Sequence, residues 1–87
     1  MKSSEVTIRH AVGLHARPAA LFVQTAQKHK SKITVTFNEK TVNAKSLLCL
    51  LSLGVSKDAV IMIHADGEDE ESAINALGTL VAANFGE

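Results

Sequence analysis

A chain of 87 residues has room for one hydrophobic core, and one this short buries only about 60% of the surface it exposes when unfolded, so a single domain spanning residues 1–87 is expected. Nine basic and nine acidic side chains cancel to a formal net charge of zero, and the aromatic residues are three Phe with no Trp or Tyr, which excludes a nucleic-acid surface built on basic patches or base stacking. The single cysteine, Cys49, excludes a disulfide framework and points to a reducing, cytoplasmic setting, while no run is apolar enough to span a membrane and Met1–Glu5 carries no export signal.

The first predicted element is a strand over Glu5–Arg9, with Val6 and Ile8 on one side and Thr7 and Arg9 on the other. A loop from His10 to Leu14 leads to a helix that begins after His15 and runs to the neighbourhood of Lys28, burying Ala19, Phe22, Val23 and Ala26. Its opposite face carries Ala16, Ala20, Leu21, Gln24 and Gln27, small or polar residues that leave room for a partner. Lys28, His29 and Lys30 suit the negative end of the helix dipole. Ile33, Val35 and Phe37 alternate with Thr34 and Thr36 in a second strand, which turns at Asn38-Glu39 into an antiparallel partner, Thr41–Asn43.

Lys45-Ser46 precedes the apolar run Leu47–Leu53, which stops at Gly54. Ser46 reads as the N-cap and Gly54 as the C′ residue of a helix of about two turns. Seven consecutive positions circle a helix axis, so this run cannot all face inward. Leu47, Leu48 and Leu51 are assigned to the surface, as an apolar cluster of the kind that marks a docking site, against the alternative of a helix buried on every side. Ala59–Ala65 is the most apolar strand and is expected at the centre of the sheet, with Ile61, Ile63 and Ala65 on one face, Val60, Met62 and His64 on the other, and His64 towards solvent. After Asp66-Gly67 the acidic run Glu68–Glu71 opens a last helix with the stripe Ala73, Ile74, Leu77, Leu80 and Val81, closed by Phe85. Gly78 inside it costs about 1 kcal/mol against alanine, with no reason visible in the sequence. The order is β-α-β-β-α-β-α, and three amphipathic helices sharing one apolar sheet surface make a two-layer α+β fold.

The stretch best suited to chemistry is Val12–Pro18. Gly13 supplies a turn and Pro18-Ala19-Ala20 opens the helix, which puts His15 where loop becomes helix. The first N–H groups of a helix lack intrahelical acceptors and the dipole is positive there, so an anion held by the amides of Ala16 and Arg17 is stabilised. Arg17 adds a forked, permanently charged donor set, and Pro18 loses little by lacking an N–H near a helix start. An imidazole with an ordinary pKa of about 6.5 is largely neutral at pH 7 and keeps a lone pair, so it can attack phosphorus without a separate base. From spacing alone the alternative stands beside this one: His15 as a polar helix cap and Arg17 as a solvated side chain.

Gly13-Leu14-His15-Ala16-Arg17-Pro18-Ala19 resembles the active-site signature of HPr, the histidine phosphocarrier protein of the bacterial phosphoenolpyruvate-dependent sugar phosphotransferase system. Asn43-Ala44-Lys45-Ser46-Leu47-Leu48, followed by Ser52-Leu53-Gly54, resembles that family's regulatory-serine region, and the length, the spacing of the two blocks and the closing Ala65-Asp66-Gly67 match as well. The resemblance implies a single HPr domain: an open-faced sandwich with a mostly antiparallel four-stranded sheet, its three helices on one face, and loops that bring His15 close to the start of the short helix. It implies that His15 takes a phosphoryl group on Nδ1 from phosphorylated Enzyme I and passes it to sugar-specific IIA domains or proteins, as a monomeric carrier rather than an enzyme. The docking face is then drawn from Ala20, Gln24, Gln27, Leu47, Leu48 and Leu51.

By the same resemblance Ser46 is a target of the ATP-dependent HPr kinase/phosphorylase, and the modified form is a corepressor partner of the catabolite control regulator. Cys49 stands where regulated members often have glycine, and Leu48 and Leu51 where they often have methionine. The alternative is a regulatory paralogue of the same fold, nitrogen-type or catabolite-repression type, acting as a signalling module. Other chemistries find no support. His10, His15, His29 and His64 have neither a close helical pair nor a cysteine partner, so neither a metal nor another cofactor is expected, and no nucleophile elbow is present. Cys49 reads as a packed or surface thiol.

Overall fold

The computed structural model describes residues 1–10 and 13–86; positions 11 and 12 of the expected His10–Leu14 loop, and position 87 at the end of the expected domain, lie outside the described residues. The described residues form β1 (Lys2–Thr7), α1 (Ala16–Gln27), β2 (Lys32–Phe37), β3 (Lys40–Asn43), α2 (Leu47–Leu51), β4 (Val60–Asp66) and α3 (Glu70–Ala82), followed by a short turn at Asn84–Gly86. The strands make a four-stranded sheet in the order β1-β4-β2-β3, with every pairing antiparallel. The apolar alternation read from the sequence sets the register: Val6 stands opposite Ile61, Val35 opposite Ile63, and Ile33 opposite Ala65, so one face of the sheet is continuous hydrocarbon.

All three helices pack there. α1 contributes Ala19, Phe22, Val23 and Ala26, α2 contributes Leu50, and α3 contributes Ala73, Leu77 and Val81, with Phe85 closing the cluster beyond α3. The other face carries a polar row. His64 is hydrogen-bonded through Nδ1 to Ser3 Oγ (2.8 Å) and through Nε2 to Thr36 Oγ1 (3.1 Å), and Thr36 to Thr41 Oγ1 (2.8 Å), so one chain of polar contacts links all four strands. The expected solvent-facing His64 is therefore a half-buried, doubly engaged side chain.

Several boundaries differ from those the sequence predicts. β1 starts at Lys2 and ends at Thr7, because Lys2 and Ser3 pair with Ala65 and His64 despite a polar sequence that carries no strand signal. α1 stops at Gln27; Lys28 is the C-cap, and His29 folds back so that its Nδ1 meets Thr25 O at 3.0 Å. α2 has five residues rather than two turns, its C-cap is Ser52, and Gly54 (φ +65°) lies one residue beyond the expected C′ place. The last helix begins at Glu70, after Asp69, not at Glu68. Asn38 and Glu39 both have positive φ (54° and 69°), the requirement of a two-residue hairpin turn whose twist matches its strands.

Candidate functional site

Gly13 fixes the approach to α1. Its φ is +72°, and a Cβ there would lie 2.5 Å from Val55 O and 2.7 Å from Ser56 Cα, so only glycine lets this backbone lie against the 55–56 segment. Leu14 is buried, and its N–H donates to Val55 O at 3.0 Å. His15 is then the N-cap of α1, extended (φ −87°, ψ −175°) and exposed, and its side chain makes no capping hydrogen bond. His15 thus occupies the cap position without spending its imidazole on the helix. The first intrahelical bond runs from Ala19 N to His15 O (2.8 Å), so the amides of Ala16 and Arg17 precede it at the helix mouth. Ala16 and Arg17 are exposed, and Pro18 and Ala19 are buried beneath them. The imidazole of His15 therefore stands at an exposed helix start, where another protein can reach it.

Ser46 is the N-cap of α2. Its Oγ accepts from Cys49 N at 3.3 Å, and Ser52 Oγ donates to Cys49 O at 2.5 Å, so both ends of this one-turn helix are closed by serine. Leu50 and Leu53 are buried, whereas Leu47, Leu48 and Leu51 are 39%, 80% and 36% exposed. Cys49 is an exposed free thiol between them. Of the residues named on α1, Gln24 and Gln27 are exposed and Ala20 is half-buried. α1 and α2 pack together, so these residues and the leucines belong to adjoining helices. Gln27 also helps to hold the fold, since its Nε2 donates to Lys45 O at 3.2 Å.

That bond corrects one expectation. The start of α2 lies at the far end of α1 from His15, tied there by Gln27 and by Lys45 Nζ, which donates to His29 O at 2.7 Å. What reaches the His15 end is the segment after α2, through Val55 and Ser56. His15 and Ser46 are thus separated along a helix of 12 residues, about 18 Å long.

Asp69 escaped sequence reasoning. Its carboxylate leaves its own helix uncapped and accepts from Lys30 N (2.9 Å), from Ser31 N (2.9 Å) and from Ser31 Oγ, clipping the α1–β2 connection to the start of α3. The Ser31 hydroxyl bond, with the Lys30 amide next, pulls its pKa down to about 2. Met1's ammonium, 3.0 Å away, and the Gly67 amide lower Glu70 as well. No local pattern joins residues 38 apart in the chain. Among the described residues no group of three or more His, Cys, Asp or Glu is placed to hold a metal, and no helix is long and apolar enough to cross a membrane.

Residues 2–83 match the family described as the PTS HPr component phosphorylation site. The chain belongs to the HPr family. It is similar to HPr-C-His from Thermoanaerobacter tengcongensis, at 53% identity, covering 100% of this chain and 98% of that one with a TM-score of 0.98. HPr from Bacillus anthracis is 40% identical, with 92% and 95% of the two chains covered and a TM-score of 0.88. Crh, the Bacillus subtilis catabolite repression protein, solved as a dimer with a swapped domain, is 42% identical, with 97% of each chain covered and a TM-score of 0.77. HPr proteins are phosphocarriers of the phosphotransferase system and not enzymes in their own right.

Proposed function

We propose that His15 is the residue that carries the phosphoryl group, taking it from phosphorylated Enzyme I and giving it to sugar-specific IIA domains or proteins, in a monomeric single-domain carrier working in the cytoplasm. The observation that supports this reading is an exposed histidine at the first cap of α1 whose ring is not committed to capping, in a chain of the HPr family. The Nδ1 lone pair of a neutral ring attacks phosphorus; the N–P bond forms as the bond to the donor breaks, and that electron pair returns to the donor. The guanidinium of Arg17 and the amides of Ala16 and Arg17 stabilise the phosphoryl charge on arrival. No metal or other cofactor is needed for this step. With Enzyme I and phosphoenolpyruvate, His15→Ala is expected to fold normally and take up no phosphate; undiminished uptake would remove His15 from the mechanism.

Docking is assigned to Ala20, Gln24 and Gln27 on α1 and Leu47, Leu48 and Leu51 on α2. A carrier must leave each partner, and a small apolar patch of this kind gives modest affinity. Ser46 is proposed as a control point for an ATP-dependent HPr kinase/phosphorylase, the modified form serving the catabolite control regulator. Likeness to Crh favours this second, regulatory role. A phosphate on Ser46 would be favoured by the α2 start and would add about two negative charges beside Leu47 and Leu48, repelling an acidic donor. Modification at Ser46 is expected to lower the rate of His15 phosphorylation by tenfold or more, on the order of 1.4 kcal/mol; equal rates for the modified and unmodified protein would refute the control.

A further inference from the structure

The backbone that delivers His15 is seated from two sides, and only one of them belongs to the sheet's own connections. On one side, the segment 55–59 grips it through backbone bonds: Leu14 N to Val55 O (3.0 Å), Ile8 N to Ala59 O (2.8 Å) and Asp58 N to Ile8 O (2.6 Å), with Gly13 pressed against Val55 and Ser56. On the other side stands the turn that follows α3. Asn84 and Phe85 both have positive φ (55° and 58°); asparagine takes this conformation readily at a helix end, but a bulky residue such as Phe85 keeps it only where its surroundings enforce it. Phe85 is 3% exposed, the turn packs against both α3 and α1, and the Phe85 ring meets His10 edge to face, with centroids 6.1 Å apart and planes at 72°. His10 O in turn accepts from Gly13 N at 2.9 Å. A contiguous set of contacts therefore runs from Phe85 through His10 and Gly13 to the cap of α1.

We infer that Phe85 is a positioning residue for His15, acting through His10 and the Gly13 turn; this rests on His15 being the phosphoryl acceptor. His15 has no capping bond to orient its ring, so its aim depends on where the backbone holds it, and in-line transfer is sensitive to displacements of about 1 Å. The strained turn is the means by which the segment after α3 fixes that backbone.

The test is single-turnover transfer from phosphorylated Enzyme I at temperatures well below each variant's Tm, for wild type, Phe85→Leu, His10→Leu, the double variant and His10→Phe. Leucine keeps apolar bulk and removes the ring contact, so each single variant is expected to lower the maximal rate by about two- to tenfold at unchanged donor KM. The double variant is expected to be no slower than the slower single one, because both break the same contact. His10→Phe keeps the ring pair and should keep the rate, which separates lost contact from a general fold defect. Unchanged rates, additive losses, or a loss confined to KM overturn the inference. A wild-type protein that takes up no phosphate at His15 overturns the acceptor reading first, and the inference with it.

Discussion

Arg17 is the second residue of α1, exposed, two positions from His15. A charged donor aimed at a phosphoryl oxygen is worth about 1.5–3 kcal/mol, so Arg17→Ala is expected to slow transfer by roughly tenfold to a hundredfold. Tm should barely move, as exposed charges contribute little to stability. Wild-type kinetics in this variant would dismiss the guanidinium from the mechanism. Asp69 makes the opposite kind of prediction. Its pKa is held at about 2 in the fold, below the ordinary 3.8, so its contribution to stability is complete above the ordinary value and is lost as pH falls through about 2. Acid unfolding of the wild type between about pH 4 and 2 should therefore be steeper than that of Asp69→Asn, followed by circular dichroism; parallel curves would deny the clip any role. The places of His15 and Ser46 at helix starts could be read from the chain because the signals that set them are local: a turn residue, a cap, a helix opening. Asp69 could not, since its partners are Lys30 and Ser31.

At the scale of elements, α2 divides its leucines between core and surface. It is too short to be stable alone, so it depends on Leu50 in the core and on the ties from Gln27 and Lys45 to hold it. Leu50→Ala is expected to cost about 2–5 kcal/mol. Leu47→Asp should leave Tm nearly unchanged while weakening Enzyme I binding about tenfold or more, measured by calorimetry; a collapse of Tm would put Leu47 in the core instead. The run Leu47–Leu53 foretold which leucines show, because helical geometry forces some outward. It did not foretell the length of α2, which is set by the Ser52 closure and the turn that follows. β1 was underestimated for a similar reason: an edge strand with an outer polar face needs only a partner, and Lys2-Ser3-Ser4 finds one in β4. Gly78 remains unexplained by packing, since a Cβ there would meet nothing within 4 Å. Gly78→Ala should therefore stabilise α3 by up to about 1 kcal/mol and raise Tm by roughly 4–8 °C, and a lower Tm would mean the glycine has a structural reason of its own.

For the whole molecule, strand pattern and helix stripes were enough to give a two-layer α+β fold, because each apolar face had one place to go. The distance between His15 and Ser46 was not legible. It depends on the path of residues 44–59, which brings Lys45 to one end of α1 and Val55 to the other. The consequence is a surface with His15 at one end, Ser46 at the other, and exposed residues of α1 and α2 between. A partner spanning that surface would meet both, so under the proposed control a charge at Ser46 acts on the partner and not by moving the histidine. The measurement that bears most directly on this is mass-spectrometric location of the phosphate after brief incubation with phosphoenolpyruvate and Enzyme I. One acid-labile phosphoryl group on His15, lost on transfer to a IIA protein, is the expected result; phosphate on another residue, or none on His15, would contradict it.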